Sequence, residues 1–433
     1  MDLSGWPIVI TLVFRLGLIL FVLTQHPGRN TEQLFSTVDT KRYLELAASL
    51  LRGDFSTAEG PETYRLPGYP LLLAPGMQMG WPTAYALVAQ SLLCCLVVVV
   101  VVWTARLIGL RDRAATAAGV LCAVEPTLLL WSLFLMADAP LGAMVAVTFL
   151  ALLLHLRDGS KWTLALAAAL GAGAALVKPV AYGVAFVIAF VAAWARRSEN
   201  AWGALRLFLV AAFSGVLILG AWQARNLVAG GSFGFSSQFS QVSRSADFEV
   251  WRSKNPKASG EQVQKEWRNR GLDRPTAIAP WPSLASSLLT RLRLHLIGTW
   301  RTLSNPGVLA WLQFLDLEPQ GNAVSREMLR KGPWAFLLQS VQGKPYVVAG
   351  SVILGGINLI YWYLFVVGFK ELMPRVPAAA GAAGALILYF ALASGGPWGQ
   401  SRFRIPFVPA LCVIAGAAFD RQVKKATRLP NGH

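Results

Sequence analysis

Six charged side chains stand at the edges of long apolar runs: Asp39, Arg65, Asp138, Lys178, Arg402 and Arg404. Ionisable groups near membrane depth are costly and tend to mark function. Asp39 opens the stretch DTKRYLELAASLLR (39–52). As the first acid of a helix it would stabilise the helix dipole. As a carboxylate just above a membrane it would suit a general base that takes the proton of an acceptor hydroxyl. Arg65 lies in Tyr64-Arg65-Leu66-Pro67-Gly68-Tyr69-Pro70, where Pro and Gly pre-set the backbone. Its guanidinium fork matches phosphate oxygens, and the plainer alternative is snorkelling to lipid headgroups. Asp138, two residues before Pro140, can cap a helix, act as a second acidic group, or do both. Lys178-Pro179 marks a turn, and Lys178 reads as a headgroup contact more than a catalytic group. Arg402 and Arg404, in GQSRFRIP (399–406), need an anionic partner, of which lipid phosphate is the simplest. Arg225-Asn226 carries the same rationale more weakly.

Other chemistries lack their residues. His26, His155, His295 and His433 are scattered, and Cys94, Cys95, Cys122 and Cys412 lie in apolar runs without metal or disulfide spacing. No cofactor is called for, although Asp39 and Asp138 would admit a divalent cation if they converged. No P-loop, no GxGxxG after a strand and no GxSxG occurs. The net charge of +17 would suggest nucleic acid in a soluble chain. With no polar domain carrying RNA-binding motifs, the basic residues are read against anionic membrane lipids, and nucleic acid is set aside.

The elements that must position these residues follow from composition. Of 433 residues, 55% are hydrophobic and 14% charged, against about 45–50% and about 25% in soluble domains. Apolar runs at 7–24, 83–105, 114–135, 139–156, 162–177, 180–195, 204–222, 346–369, 378–393 and 405–419 predict about ten transmembrane helices. Run 7–24 has no small-x-small cleavage site after it and should remain as the first helix. The short basic connections at Arg106/Arg111/Arg113, Arg157/Lys161, Arg196/Arg197, Lys370/Arg375 and Arg421/Lys424/Lys425 fall on one side, the cytoplasmic side. The chain then divides into a first transmembrane helix (1–24), a first extracytoplasmic loop (25–82) and helices two to seven (83–222). A large extracytoplasmic loop (223–345), helices eight to ten with an outer strap (346–420, strap 394–405) and a cytoplasmic tail (421–433) complete it. Apolar spacing predicts an interfacial helix over 39–52 and a basic amphipathic stretch over 284–300. Segment 69–80 is too short to span. The strap is expected to be non-helical, extended or turn-like, so that Arg402 and Arg404 share one side and reach one phosphate.

In order along the chain, these segments resemble the polytopic GT-C glycosyltransferases, in particular the branch of the lipid A aminoarabinose transferase and the protein O-mannosyltransferases. The resemblance is carried by Asp39-Thr40-Lys41-Arg42-Tyr43, Arg65-Leu66-Pro67-Gly68-Tyr69-Pro70, Glu125-Pro126 through Asp138, Lys178-Pro179, Trp222-Gln223-Ala224-Arg225-Asn226 and Arg402-Phe403-Arg404-Ile405-Pro406. It implies an all-α polytopic membrane protein. It further implies Asp39 as the catalytic acid-base residue, Arg65 as a ligand of the donor lipid's phosphate and Asp138 as a second acidic residue. Tyr43, Tyr69, Lys178 and Arg225, within the same motifs, are further site candidates. Thr40 stands where some relatives carry Glu, which leaves that Glu's role unfilled. The expected activity is transfer of a sugar from a polyprenyl-phosphate carrier to a glycan, lipid or protein acceptor on the periplasmic side of a bacterial inner membrane, with inversion. The alternatives are an O-antigen-ligase-like transferase using a lipid diphosphate and a polyprenyl-lipid transporter or flippase.

Overall fold

The computed structural model describes residues 5–28, 30–58, 60–197, 201–231, 233–255, 258–270, 288–315, 345–396 and 399–420. The tail expected at 421–433 and the start of the amphipathic stretch at 284–287 lie outside the described residues. In chain order the helices begin with α1 Trp6–Gln25, α2 Thr31–Phe35, α3 Thr40–Leu51, α4 Gly68–Gln78, α5 Pro82–Leu107 and α6 Asp112–Ala123. Next come α7 Pro126–Trp131, α8 Asp138–Asp158, α9 Lys161–Val177, α10 Val184–Ala195, α11 Ala201–Gly230, α12 Gln238–Lys254 and α13 Gly260–Asn269. The last are α14 Leu288–Ser304, α15 Val308–Phe314, α16 Pro345–Leu372, α17 Pro377–Ala393 and α18 Val408–Gly416. Among the described residues the only strands are β1 Ser56–Thr57 and β2 Gly60–Pro61, an antiparallel pair between α3 and α4. The fold is all-α and polytopic.

Six helical runs are long and apolar enough to cross a membrane: α1, α5, α8, α11, α16 and Ser401–Phe419. Shorter apolar helices cover Lys161–Val177, Pro179–Ala195 and Pro377–Ala393. The remaining expected span, 114–135, is not one helix. Pro126 brings no N–H and its ring opposes a continuing helix. The Glu125 carboxylate instead accepts from the Leu128 amide at 2.6 Å and starts α7 afresh.

After Trp131 the chain runs irregularly to Asp138, and its buried backbone groups must find partners within the protein. Gln90 Nε2 donates to the carbonyls of Ser132 (2.8 Å) and Phe134 (3.0 Å). Arg15, in the middle of α1 and 1% exposed, donates to the Ser132 carbonyl at 3.1 Å and to its hydroxyl. The Leu135 amide donates to Phe35 O at 3.0 Å, and Thr40 Oγ1 donates to Leu135 O at 3.2 Å.

Close helix packing rests on small side chains, as expected where lipid gives no hydrophobic drive between helices. Ala167, Ala168, Gly171, Ala172 and Ala175 form the buried face of α9. A Cβ on Gly171 would fall 2.9 Å from Val184 Cγ1 of α10. Helix α11 has 30 residues, about 45 Å at about 1.5 Å per residue, against a hydrocarbon core of about 30 Å. The helix is thus longer than one perpendicular crossing needs, and its C-terminal end carries Trp222, Arg225 and Asn226 against the 55–63 and 233–235 segments.

The strap differs from its expected form. Residues 401–407 make a 3-10 helix instead of a non-helical run. At about three residues per turn, Arg402 and Arg404 point to different sides.

Candidate active site

The side chains that converge come from four separated stretches, all at one end of the bundle. Asp39 precedes α3, but its carboxylate makes no capping bond to that helix. It accepts instead from Arg65 Nη2 in an ion pair whose side chains are 27% and 15% exposed respectively. The helix start is held by Thr40, whose hydroxyl accepts from the Thr37 amide at 2.8 Å. Thr40 thus ties α3 to the irregular 132–137 segment, a structural use of this position.

Arg65 is fixed from below and from the side. Glu62, 1% exposed, accepts from the amides of Tyr64 (2.6 Å) and Arg65 (3.0 Å) through Oε1, while Oε2 accepts from Arg42 Nε at 2.8 Å. The Arg65 guanidinium lies 4.7 Å from the Tyr64 ring centroid and 5.2 Å from that of Tyr43. Such cation–π contacts favour a charge already stripped of water. Gly68 allows the same turn to press on α9, since a Cβ there would come 2.8 Å from Val177 Cγ2.

Asp138 opens α8, 1% exposed, and accepts from Lys178 Nζ at 2.5 Å through Oδ1. Its Oδ2 is buried with no hydrogen-bond partner among the described residues. The turn after Lys178 is held by Tyr389, whose hydroxyl accepts from the Gly183 amide at 2.7 Å and donates to Val180 O at 2.8 Å. Lys178 Nζ is also 4.8 Å from the Phe403 ring, which links it to the strap. Burial depresses the Lys178 pKa, and Asp138 works against that.

Arg402 completes the set. Its guanidinium lies 5.5 Å from the Trp131 ring and 5.2 Å from that of Phe403, with Nη1 3.6 Å from Met136 Sδ. Its Nε is buried without a partner among the described residues. Tyr43 stands between these groups. Burial pushes its hydroxyl up to about 12, with Asp39 and Asp138 adding to the rise and Arg65 and Arg402 opposing it.

Three expected site residues do other work. Arg404 turns into the core, where Nη2 donates to Thr127 Oγ1 at 2.8 Å, 4.0 Å from Glu125, and Nη1 donates to Leu303 O at 3.1 Å and to Asn358 Oδ1. Arg225 donates to the carbonyls of Glu62 (2.7 Å) and Phe55 (2.6 Å), fastening the loop between α3 and α4 to α11. Tyr69 is fully buried, packs edge-on against Tyr43 at 4.8 Å, and donates its hydroxyl away from the site to Gln90 Oε1 at 2.8 Å.

Glu62, Arg42, Trp131 and Phe403 are supports that the sequence reading passed over. Among the described residues no group of three His, Cys, Asp or Glu side chains could hold a metal ion. Asp39 and Asp138 both act on the Tyr43 hydroxyl, but each is already paired with a cation. The arrangement can hold an anion at Arg402 and Arg65 and offer a carboxylate beside it.

The archaeal oligosaccharyltransferase AglB from Archaeoglobus fulgidus, in complex with an inhibitory peptide and a dolichol-phosphate, is similar over 94% of this chain and 50% of its own, with a TM-score of 0.51 at 14% identity. ArnT from Cupriavidus metallidurans, bound to undecaprenyl phosphate, is similar over 97% of this chain and 61% of its own, with a TM-score of 0.50 at 15% identity. The chain has the GT-C fold. It spans about half the length of the oligosaccharyltransferase. No protein-family model and no curated protein matches the sequence. In this chain the loop between α3 and α4, the α7–α8 break, the α9–α10 turn and the strap hold the convergent charges.

Proposed function

We propose that the chain is an integral-membrane glycosyltransferase that moves a sugar from a polyprenyl-phosphate-linked donor to an acceptor hydroxyl at the extracytoplasmic face of a bacterial inner membrane. The observation that carries this reading is the charge arrangement. Asp39 is matched by Arg65 and Asp138 by Lys178, while Arg402 has aromatic and sulfur neighbours but no carboxylate among the described residues. One cation in excess, in a partly dehydrated space at the membrane surface, suits a lipid phosphate. Both similar structures hold a polyprenyl-type phosphate.

In the proposed reaction the acceptor oxygen attacks the anomeric carbon, the bond from that carbon to the phosphate oxygen breaks, and configuration inverts. The hydroxyl proton passes to Asp39, acting as general base. The phosphate leaves with the bonding pair and is stabilised by Arg65 and Arg402, already oriented before charge develops. The Asp39–Arg65 pair gives the site a resting state, because an arriving phosphate offers Arg65 a second acceptor and loosens its hold on the base. Lys178 is ion-paired with Asp138 at the wall of the site, and the pair acts as a positioning unit. The acceptor is a hydroxyl of a glycolipid, polysaccharide or protein.

Mass spectrometry of lipids extracted from the purified protein tests the donor class, and a polyprenyl-phosphate sugar is the expected species. A preparation that carries no such lipid and does not bind added undecaprenyl phosphate would overturn the proposal.

A further inference from the structure

The second outer segment begins by fastening itself to the loop that carries Arg65. The Ser237 amide donates to Thr63 O at 3.0 Å, and the Ser236 hydroxyl donates to Tyr64 O at 2.9 Å. Helix α12 starts there, so Gln241, Arg244, Ser245 and Phe248 form one stripe running out from the docking point. Phe248 seals the far end, 3% exposed. Arg244 and Ser245 are buried and Gln241 half-buried, yet their buried polar atoms are idle. Arg244 is 9% and Ser245 2% exposed. Gln241 Oε1, Arg244 Nε and Nη2, and Ser245 Oγ have no hydrogen-bond partner among the described residues.

Nearby acids are engaged elsewhere, since Asp247 pairs with Arg291 and Glu249 faces Arg252 and Arg301. Burial lowers the Arg244 pKa, and the neighbouring Tyr64 opposes that. Tyr64 is the residue whose ring also carries Arg65. Buried polar atoms are nearly always satisfied, and a buried guanidinium needs an anion.

We infer that Gln241, Arg244 and Ser245 form a second phosphate subsite beside the seat at Arg65 and Arg402. Nε and Nη2 make the side-on fork of a guanidinium, which fits two oxygens of one tetrahedral anion. The Ser245 hydroxyl adds a third donor. Gln241 Oε1 is an acceptor, so the ligand also presents a hydroxyl next to that phosphate, as a sugar phosphate does. The phosphate has two possible sources: the second phosphate of a lipid-diphosphate donor, or a phosphate borne by the acceptor. This inference deepens the proposed function and rests on its placement of the first phosphate.

The test uses the purified full chain and measures binding of undecaprenyl phosphate, of undecaprenyl diphosphate, and of inorganic phosphate added over saturating undecaprenyl phosphate. Arg244→Gln is compared with wild type, and Arg244→Lys, which keeps the charge but loses the fork, replaces it if the first variant does not fold. If the phosphate belongs to the donor, wild type prefers the diphosphate lipid by about tenfold or more, and the variant loses that preference while binding the monophosphate lipid as before. If it belongs to the acceptor, the two lipids bind equally, inorganic phosphate binds on top of the monophosphate lipid, and the variant loses about tenfold in that second event. Wild type and variant alike in every arm would overturn the subsite and leave the donor reading intact. A wild type that binds neither lipid defeats the donor reading instead, and the subsite then stands or falls on whether inorganic phosphate still binds in an Arg244-dependent way.

Discussion

The Asp39–Arg65 pair engages Oδ1 of the carboxylate, so in the proposed reaction the acceptor's proton goes to Oδ2. Asp39→Asn keeps the shape and a weaker contact to Arg65 but removes the base. Transfer is expected to fall by about 10²–10⁴-fold, with donor affinity and expression preserved. Near-normal turnover of the purified variant would take Asp39 out of the reaction. Two arginines that look equivalent in the sequence should separate. Arg402→Ala removes the unmatched cation and is expected to weaken undecaprenyl-phosphate binding about tenfold or more, with little change in melting temperature. Arg404→Ala leaves Glu125 buried without its counter-charge, a cost of about 3–5 kcal/mol, so its signature is a lower melting temperature. Binding and melting measured on both variants decide this, and the reverse pattern would move the phosphate seat to Arg404.

At the scale of elements, the strap is held by the close approach of two backbones. A Cβ on Gly298 of α14 would overlap the Gly396 carbonyl, and Gly396 adopts φ +100, where glycine is at ease. Gly298→Val should push the strap off α14, carry Arg402 away from Arg65, and lower donor affinity while the spans stay folded. Unchanged affinity in a folded Gly298→Val protein would show that the strap is not what places Arg402. The sequence shows the interfacial helix at 39–52 and the short α4 because their apolar spacing and bracketing prolines are local signals. It also shows the charges at the span ends, since hydrophobicity makes them stand out. The α6–α7 break is written in Glu125-Pro126, yet averaged hydropathy runs straight over it. The same averaging hides Arg15, a lone charge inside an apolar run whose partners lie on α5 and at the end of α7. Glu62 is invisible for another reason: its role is to accept two backbone amides and Arg42, and no pattern of residue types records that. Arg402 and Arg404 were separated by the turn type of the strap, which three-dimensional packing chooses.

For the whole molecule, the location of the site depends on which way the bundle is threaded. Every convergent charge lies at the end of the bundle reached by the C-terminus of α1, the N-terminus of α5, the N-terminus of α8 and the C-terminus of α9. The opposite end carries Arg106, Arg111, Arg157, Lys161, Arg196 and Arg375, and Arg111 there pairs with Asp420 at 3.0 Å. Positive charge on short connections marks the cytoplasmic side, whereas long translocated loops escape that rule. The basic residues of α12–α14 therefore do not weaken the assignment. Labelling tests it without any substrate. The four native cysteines are all buried, so a background lacking them should fold with modest loss, and single cysteines can be placed at exposed positions. A cysteine at Ser259, at the start of α13, should react with a membrane-impermeant thiol reagent added outside spheroplasts. One at Lys161, at the start of α9, should react only after the membrane is opened. Both positions are solvent-exposed in the fold, so a difference between them reports the side of the membrane and not burial. Outside labelling at Lys161 with protection at Ser259 would turn the bundle over and place Asp39 and Arg65 in the cytoplasm, where the proposed acceptor on the outer face could not reach them.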